Sequence, residues 1–311
     1  MYENMETMIT LTKDKFDIRT LLTGTPIRKF IIDCGVNIYI KEEGYNPTGS
    51  LKDRPAAYML QKAIEEGRLE DGQTIICPSS GSFGCALAYF GAVMDYPVQI
   101  ITNDKCTEEN FNFMRLIGAD VQRVGKVTKD SREYCEKLIA EQPDKYVFMN
   151  QLEDWENPNA HFSTTGPEIL KDLPDVDAVA ASMGSGGTLL GCANFFIKNK
   201  PDVKIIASVG TPDTSLAGTY RAGMDQETVF IQEILKRELA DYQSTINLDQ
   251  AHQRISELRK RGIFTGPQTG GVLQAVRNAI NDGTLQSGDN VVIISGDSGW
   301  KNIQKIQDYQ A

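Results

Sequence analysis

The chain of 311 residues carries 32 Lys and Arg against 42 Asp and Glu, a net charge of −10, with 41% apolar and 24% charged residues. Such an ordinary, acidic composition excludes a disordered or fibrous chain, and it lacks the basic surface that a nucleic acid or an anionic membrane requires. At roughly 150 residues per domain the length predicts about two domains, each able to bury a core without disulfides.

The N-terminal run Met1-Tyr2-Glu3-Asn4-Met5-Glu6 has neither the basic nor the apolar region of a secretory signal. Further on, Asn46-Pro47-Thr48-Gly49-Ser50-Leu51-Lys52-Asp53-Arg54 leads into a helix. Ser50 and Asp53 have capping-box spacing, Ala56, Met59, Leu60 and Ala63 recur on one face, and Gly67 stops the run. Pro55 then falls in the first helical turn, where its missing N–H is harmless. Lys52 sits at the helix N-terminus, where the dipole disfavours a protonated amine. That condition suits a Schiff-base nucleophile, and a solvated lysine in a helix cap fits the same letters equally well.

Short apolar runs then alternate with helical patterns. The strand candidates are Thr74–Cys77, Val98–Ile101, Asp120–Val124, Tyr146–Met149, Ala178–Ala180, Lys204–Val209 and Val291–Ile294. Helical stretches run over Cys85–Met94, Glu108–Ile117 and Leu189–Ile197. The alternation predicts βαβ units, hence an α/β fold of open, twisted parallel sheets with flanking helices. Ligands of such sheets bind beyond the carboxyl ends of strands. Besides the lysine turn, Ser79-Ser80-Gly81-Ser82-Phe83-Gly84, Gly184-Ser185-Gly186-Gly187-Thr188 and Gly266-Pro267-Gln268-Thr269-Gly270-Gly271 are rich in Gly and hydroxyl residues. Together they suggest a polar cleft that accepts anions. The turn at Gly184–Thr188 suits a phosphate monoester, or serves only as a tight turn.

No apolar run approaches the roughly 18 residues that span a bilayer. Six cysteines without a C-x-x-C pair, and only two histidines, His161 and His252, point to reduced, buried thiols and against a zinc site. A cytoplasmic protein without a metal centre is expected.

The lysine turn resembles the lysine motif of fold-type II pyridoxal-phosphate enzymes. The stretch Asn150-Gln151 through Asn157-Pro158-Asn159-Ala160-His161-Phe162-Ser163-Thr164-Thr165-Gly166-Pro167-Glu168-Ile169, with Gly184–Thr188 after it, resembles the cysteine synthase and cystathionine β-synthase family. The likeness runs from Thr25-Pro26 to the last strand with its motifs in family order.

That resemblance implies a tryptophan synthase β-like fold, with residues 46–148 as a smaller mobile domain and residues 1–45 plus 149–311 as a larger one. It implies pyridoxal 5′-phosphate held by Lys52 as an internal aldimine, by Ser82, by Gly184, Ser185, Gly186, Gly187 and Thr188 at the phosphate, and by Thr269 at the pyridine nitrogen. Ser79, Ser80, Gly81, Ser82 and Phe83 would grip the substrate carboxylate with Gln151. The implied reaction is β-replacement on O-acetylserine or O-phosphoserine through an aminoacrylate, in a homodimer acting on a small amino acid.

Departures from the family pattern keep other readings open. Ser80-Gly81-Ser82-Phe83-Gly84 stands where Ser-Gly-Asn-Thr-Gly is usual, altering the contact at the phenolic oxygen and reshaping the substrate site. The segment at Gln268-Thr269 is closer to threonine synthases, and Gly218–Met224 replaces the usual glycine-rich closing loop. A nucleophile other than sulfide, an elimination enzyme of threonine synthase or dehydratase type, and a non-catalytic cofactor-binding relative all remain open. A structural role is expected for His161, packing for Cys77 and Cys85, a turn or ring-lining role for Asp297, and solvated surface for Arg28 and Arg221.

Overall fold

The computed structural model describes residues 16–213, 216, 218–224 and 227–310; the run Met1–Glu6 lies outside them. Among the described residues there are ten strands, β1 Ile27–Asp33, β2 Val36–Lys41, β3 Thr74–Pro78, β4 Val98–Thr102, β5 Asp120–Arg123, β6 Tyr146–Phe148, β7 Ala178–Ser182, β8 Lys204–Gly210, β9 Tyr242–Ile246 and β10 Asn290–Ile294. Helices α1 Asp53–Glu65, α2 Ser82–Val93, α3 Glu108–Leu116, α4 Thr128–Glu141, α5 Glu156–Ala160 and α6 Gly166–Asp172 occupy the first part of the chain. Helices α7 Gly187–Asn199, α8 Val229–Lys236, α9 Leu248–Lys260, α10 Pro267–Asp282 and α11 Ile303–Gln310 follow.

The strands form two sheets, one of order β1-β2-β10-β7-β8-β9 and one of order β5-β4-β3-β6. All pairs are parallel except β1 with β2. Successive side chains of a strand point to opposite faces, so a sheet covered by helices on both sides is apolar at every position. The larger sheet obeys this: Val179, Ala181, Ile205 and Ala207 enter one core, and Ala178, Ala180 and Ile206 enter another. In the smaller sheet Ile75 and Ile100 face one core while Ile76 and Ile101 face a second. Continuous apolar runs therefore made these strands readable.

The β1–β2 hairpin was not expected from the sequence. Cys34 and Gly35 turn it with φ of 49° and 83°, two left-handed residues in succession as a two-residue hairpin needs. A cysteine gives no such signal by its letter, and β1 has one buried residue, Phe30, among exposed and half-buried ones.

The lysine turn is pinned at the carboxyl end of the larger sheet. Leu51 donates its N–H to Gly296 O at 3.0 Å, and Ser50 pairs with Asp297 in an antiparallel bridge just past β10. From there α1 crosses to the smaller sheet, where Ala56, Met59, Leu60 and Ala63 are fully buried in its core. Gly67, at φ 66°, ends the run as expected. The expected capping box does not form. Ser50 Oγ accepts from Lys52 N–H at 3.0 Å, and α1 starts only at Asp53. Asp53 turns back instead, accepting from Thr48 N–H at 2.9 Å and Thr48 Oγ1 at 2.5 Å. Its side chain thus staples the preceding loop rather than the helix end.

Among the described residues no helix is long and apolar enough to cross a membrane, and no group of His, Cys, Asp or Glu is placed to hold a metal ion.

Candidate active site

The turns singled out in the sequence converge between the two sheets. A cavity of about 440 Å³ is lined by Lys52, Ser79, Ser80, Gly81, Ser82, Phe83, Gln151, Gly184 and Ser185. A smaller pocket shares Lys52, Gly184 and Ser185 with it and adds Gly186 and Thr188. Gly187 and Thr269 line neither.

Lys52 projects from the start of α1, half-buried. Burial drives its pKa down to about 8, against the pull of the Asp297 carboxylate. Desolvation disfavours the charged amine, so a sizeable neutral fraction exists near neutral pH. Such an amine can bond to a carbonyl carbon and can take up a proton.

The glycine turn is shaped by contacts that exclude side chains. Gly186 lies at φ 89°, in the left-handed region, as the last residue before α7. A Cβ on Gly187 would overlap the Asn157 amide, and one on Gly184 would overlap the Gly218 carbonyl. Gly187 N–H donates to Ser185 Oγ at 3.3 Å, and the turn lies at the positive end of the α7 dipole, the setting that binds a phosphate. Asn157, fully buried, supports the cradle from behind: its Nδ2 donates to Gln151 O at 2.6 Å and to Ser185 Oγ at 3.2 Å. Its Oδ1 has no partner, as has Gln151 Oε1. Buried polar atoms left unsatisfied are costly unless a ligand or water meets them.

His161 belongs to the same support, as expected of a structural histidine. Its Nδ1 lies 2.9 Å from Thr165 Oγ1 and its Nε2 3.1 Å from Thr188 Oγ1. Burial first, then Arg54 and Lys52, hold its pKa well below the usual value, so the ring stays neutral and orients the Thr188 hydroxyl.

On the opposite wall, Ser79 shapes its loop rather than facing the cavity with a free hydroxyl. Its Oγ accepts from Gly84 N–H at 2.9 Å, leaving Ser80 and Ser82 as the hydroxyls of this loop nearer the opening. Ser82 Oγ donates to Asp297 Oδ2 at 3.5 Å, which places Asp297 beside the cavity rather than in a bare turn. Phe83 is 2% exposed and belongs to the core of the smaller sheet. It also lines the cavity.

The segment after Gly266 differs from expectation. Thr269 is fully buried, with its hydroxyl 2.7 Å from Thr265 Oγ1 and accepting from Gly296 N–H at 3.1 Å. The preceding residue, Gln268, lines both pockets and donates its Nε2 to Gly218 O at 2.6 Å. Because α10 begins at Pro267, consecutive residues project in different directions, and the cavity receives the amide instead of the hydroxyl. Gln268 and Asn157 are the residues that sequence reasoning passed over. Both stood inside segments it had marked, but their contacts join distant parts of the chain.

Arg28 is tied to Glu42, Nε to Oε1 at 2.6 Å, away from the cavity lining. Cys77 and Cys85 are buried, and burial pushes both thiols up, Cys85 to about 11. They pack, as expected.

This arrangement has relatives. A family model described as pyridoxal-phosphate dependent enzyme matches residues 18–297. A probable cysteine synthase of Bacillus subtilis is 31% identical over 278 residues, 84% of this chain and 86% of that protein. A cysteine synthase of Staphylococcus aureus is 29% identical over 294 residues, 91% of this chain and 94% of that protein. Among solved structures, a hydrogen sulfide-producing enzyme from Fusobacterium nucleatum aligns with a TM-score of 0.81 at 31% identity, covering 92% of this chain and 97% of that one. The family match spans most of the chain and includes both the lysine turn and the glycine cradle, so the chain belongs to the pyridoxal-phosphate dependent enzymes.

Proposed function

We propose that the protein replaces the group on Cβ of an activated serine with a nucleophile, using pyridoxal 5′-phosphate, as an enzyme of the cysteine synthase type. One observation carries the assignment of its centre: a single amine of depressed basicity, Lys52, opens into the cavity where the glycine cradle and the serine loop meet. The glycine cradle at Gly184–Thr188 fits a phosphate, and the unsatisfied Gln151 oxygen on the cavity wall fits a donor of the bound amino acid.

Bound there, the cofactor supplies an electron sink for charge developing at the substrate Cα. Lys52 would hold it covalently at rest and, once released, move the Cα proton at its Nζ. Gly184 to Thr188 would hold the phosphate, with His161 aiming Thr188. Gln268 takes the place on the cavity wall that the likeness gives to Thr269, whose hydroxyl supports it from beneath. Backbone N–H groups at Ser80 to Ser82, at the start of α2, would bind the substrate carboxylate with Gln151.

Residues 46–148 form the smaller, mobile domain in this reading, and Ile18, packed in the same core and bonded to Gln61 at 3.1 Å, travels with it. A homodimer in the cytoplasm completes the proposal.

Incubating the cofactor-loaded protein with O-acetylserine or O-phosphoserine and candidate nucleophiles, with mass analysis of products, tests it. A β-substituted alanine is expected. Pyruvate and ammonia alone, whatever nucleophile is offered, would overturn it.

A further inference from the structure

Lys52 has two tasks in β-replacement, holding the cofactor at rest and carrying the Cα proton, and neither serves the incoming nucleophile. A nucleophile that arrives as a thiol, or as an N–H or O–H compound, must lose a proton as it bonds to Cβ. That proton needs an acceptor on the cavity wall. Among the described residues no histidine lines the cavity, and Asp297 is its one carboxylate. Cys77 lines it too, but burial raises that thiol well above its usual value. Arg132, Lys301 and Lys305 are cations and offer no acceptor.

Asp297 is built into that wall. Its backbone pairs with Ser50, two residues before Lys52, and its carbonyl accepts from Thr265 Oγ1 at 2.8 Å. Its Oδ2 accepts from Ser82 Oγ at 3.5 Å, a long contact, and Asn302 supplies a second side-chain hydrogen bond. Three cations face it: Lys52 from the start of α1, and Lys301 and Lys305 from the C-terminal segment. Lys301 also acts on Asp53, and Lys305 on Glu109. Burial outweighs these cations and raises the Asp297 carboxyl above its usual value. Its carboxylate is therefore more basic than a solvated one.

We infer that Asp297 is a second catalytic residue, the general base that takes the proton of a neutral, weakly acidic nucleophile as it bonds to Cβ. The inference rests on the β-replacement reading and names the class of its second substrate. In the step concerned, the nucleophile keeps the electron pair of its bond to hydrogen and shares that pair with Cβ. Its proton passes to the Asp297 carboxylate, while Cα takes back the proton held at Lys52 Nζ. Asp297 then gives its proton to water, which balances the leaving group that departed earlier as an anion.

The test compares ethanethiol, which is protonated near neutral pH, with 4-nitrothiophenol, which ionises on its own. Cofactor-loaded Asp297→Asn protein should lose about 100-fold or more in kcat/KM for ethanethiol, the lower end for a positioned general base, and little for 4-nitrothiophenol. Its change in cofactor absorbance with O-acetyl-L-serine alone should match that of the unaltered protein. Formate should restore part of the ethanethiol rate to Asp297→Ala protein. In the unaltered protein kcat/KM for ethanethiol should fall at acid pH along a limb that Asp297→Asn lacks. A readout free of turnover is the titration of Lys52 in cofactor-free protein, by competitive labelling and peptide mapping. The midpoint should drop below about 8 in Asp297→Asn, because the pull of the carboxylate is gone. An unmoved midpoint, or equal losses with both thiols, would overturn the inference while leaving β-replacement standing. Absence of any absorbance change with O-acetyl-L-serine in the unaltered protein would instead strike the β-replacement reading itself.

Discussion

Lys52 and Arg54 lie on one turn, and their surroundings are opposite. Arg54 points to the back, fully buried, with Nε 2.6 Å from Glu43 Oε2 and Nη1 2.7 Å from Glu168 Oε1. Lys41, also fully buried, joins this cluster through Glu168 at 2.6 Å and the Thr25 carbonyl at 2.6 Å. Two cations face two carboxylates, and Thr25 Oγ1 adds a hydrogen bond to Glu43 at 2.7 Å. Lys52 points to the front and makes no ion pair among the described residues, and burial, outweighing the pull of Asp297, lowers its pKa to about 8. The lesson is that desolvation of a cation becomes harmless when geometry supplies counter-charge, and becomes chemistry when it does not. The same network that silences Arg54 anchors the turn: it ties α1 to β2 and α6, and so fixes where Lys52 points.

Breaking the front should stop the reaction and spare the fold. Lys52→Ala is expected to lower β-replacement by about 10⁴-fold, the upper range for a positioned general base, with thermal unfolding unchanged or raised because an unpaired cation has gone. Breaking the back should do the reverse. Arg54→Ala leaves Glu43 buried without its partner and should destabilise the protein by about 3–5 kcal/mol, read from denaturant unfolding. A well-packed apolar replacement of Arg54 and Glu43 together should recover much of that loss, because the desolvation of both charges disappears.

Between the two effects lies the cradle. Gly187→Ala pushes a methyl into the Asn157 amide, and overpacking of about 1–3 kcal/mol should weaken cofactor binding by about 5–150-fold in a fluorescence titration, with the fold retained. Asn157→Ala should then partly relieve the clash in the double variant, a coupling that a mutant cycle measures.

The smallest effect is on stability against pH. Despite burial, Arg54 beside it holds Glu43 below the usual carboxylate range, and Arg54 likewise lowers Glu168. Groups with folded pKa values below their unfolded ones stabilise the protein above the unfolded value of about 4.3, and that contribution fades as pH falls through the folded values. Stability should therefore be level in this respect from neutral pH to about 5 and decline below about 4.3. Glu168→Gln should make the decline shallower.

What could be read from the letters was the chemistry carried by local pattern. Strand, glycine turn and helix succeed one another within a few residues at Ala178–Asn199, and apolar runs are continuous wherever helices cover both faces of a sheet. What could not be read was assembled across the chain. Glu168 lies 114 residues from Arg54, and Asn157 lies 28 from Ser185. The exchange of Thr269 for Gln268 on the cavity wall turns on where α10 begins, a boundary that composition does not mark. Lys301 and Lys305 sit in a tail that carried no motif, and only the fold brings them to the cavity.

Reducing the cofactor-loaded protein with borohydride and mapping its peptides by mass spectrometry tests the role of Lys52 most directly. One reduced pyridoxyl phosphate group, on the peptide containing Lys52, is the expected result, lost in Lys52→Ala protein. A group found on another lysine, or labelling that survives in Lys52→Ala at full stoichiometry, would contradict it.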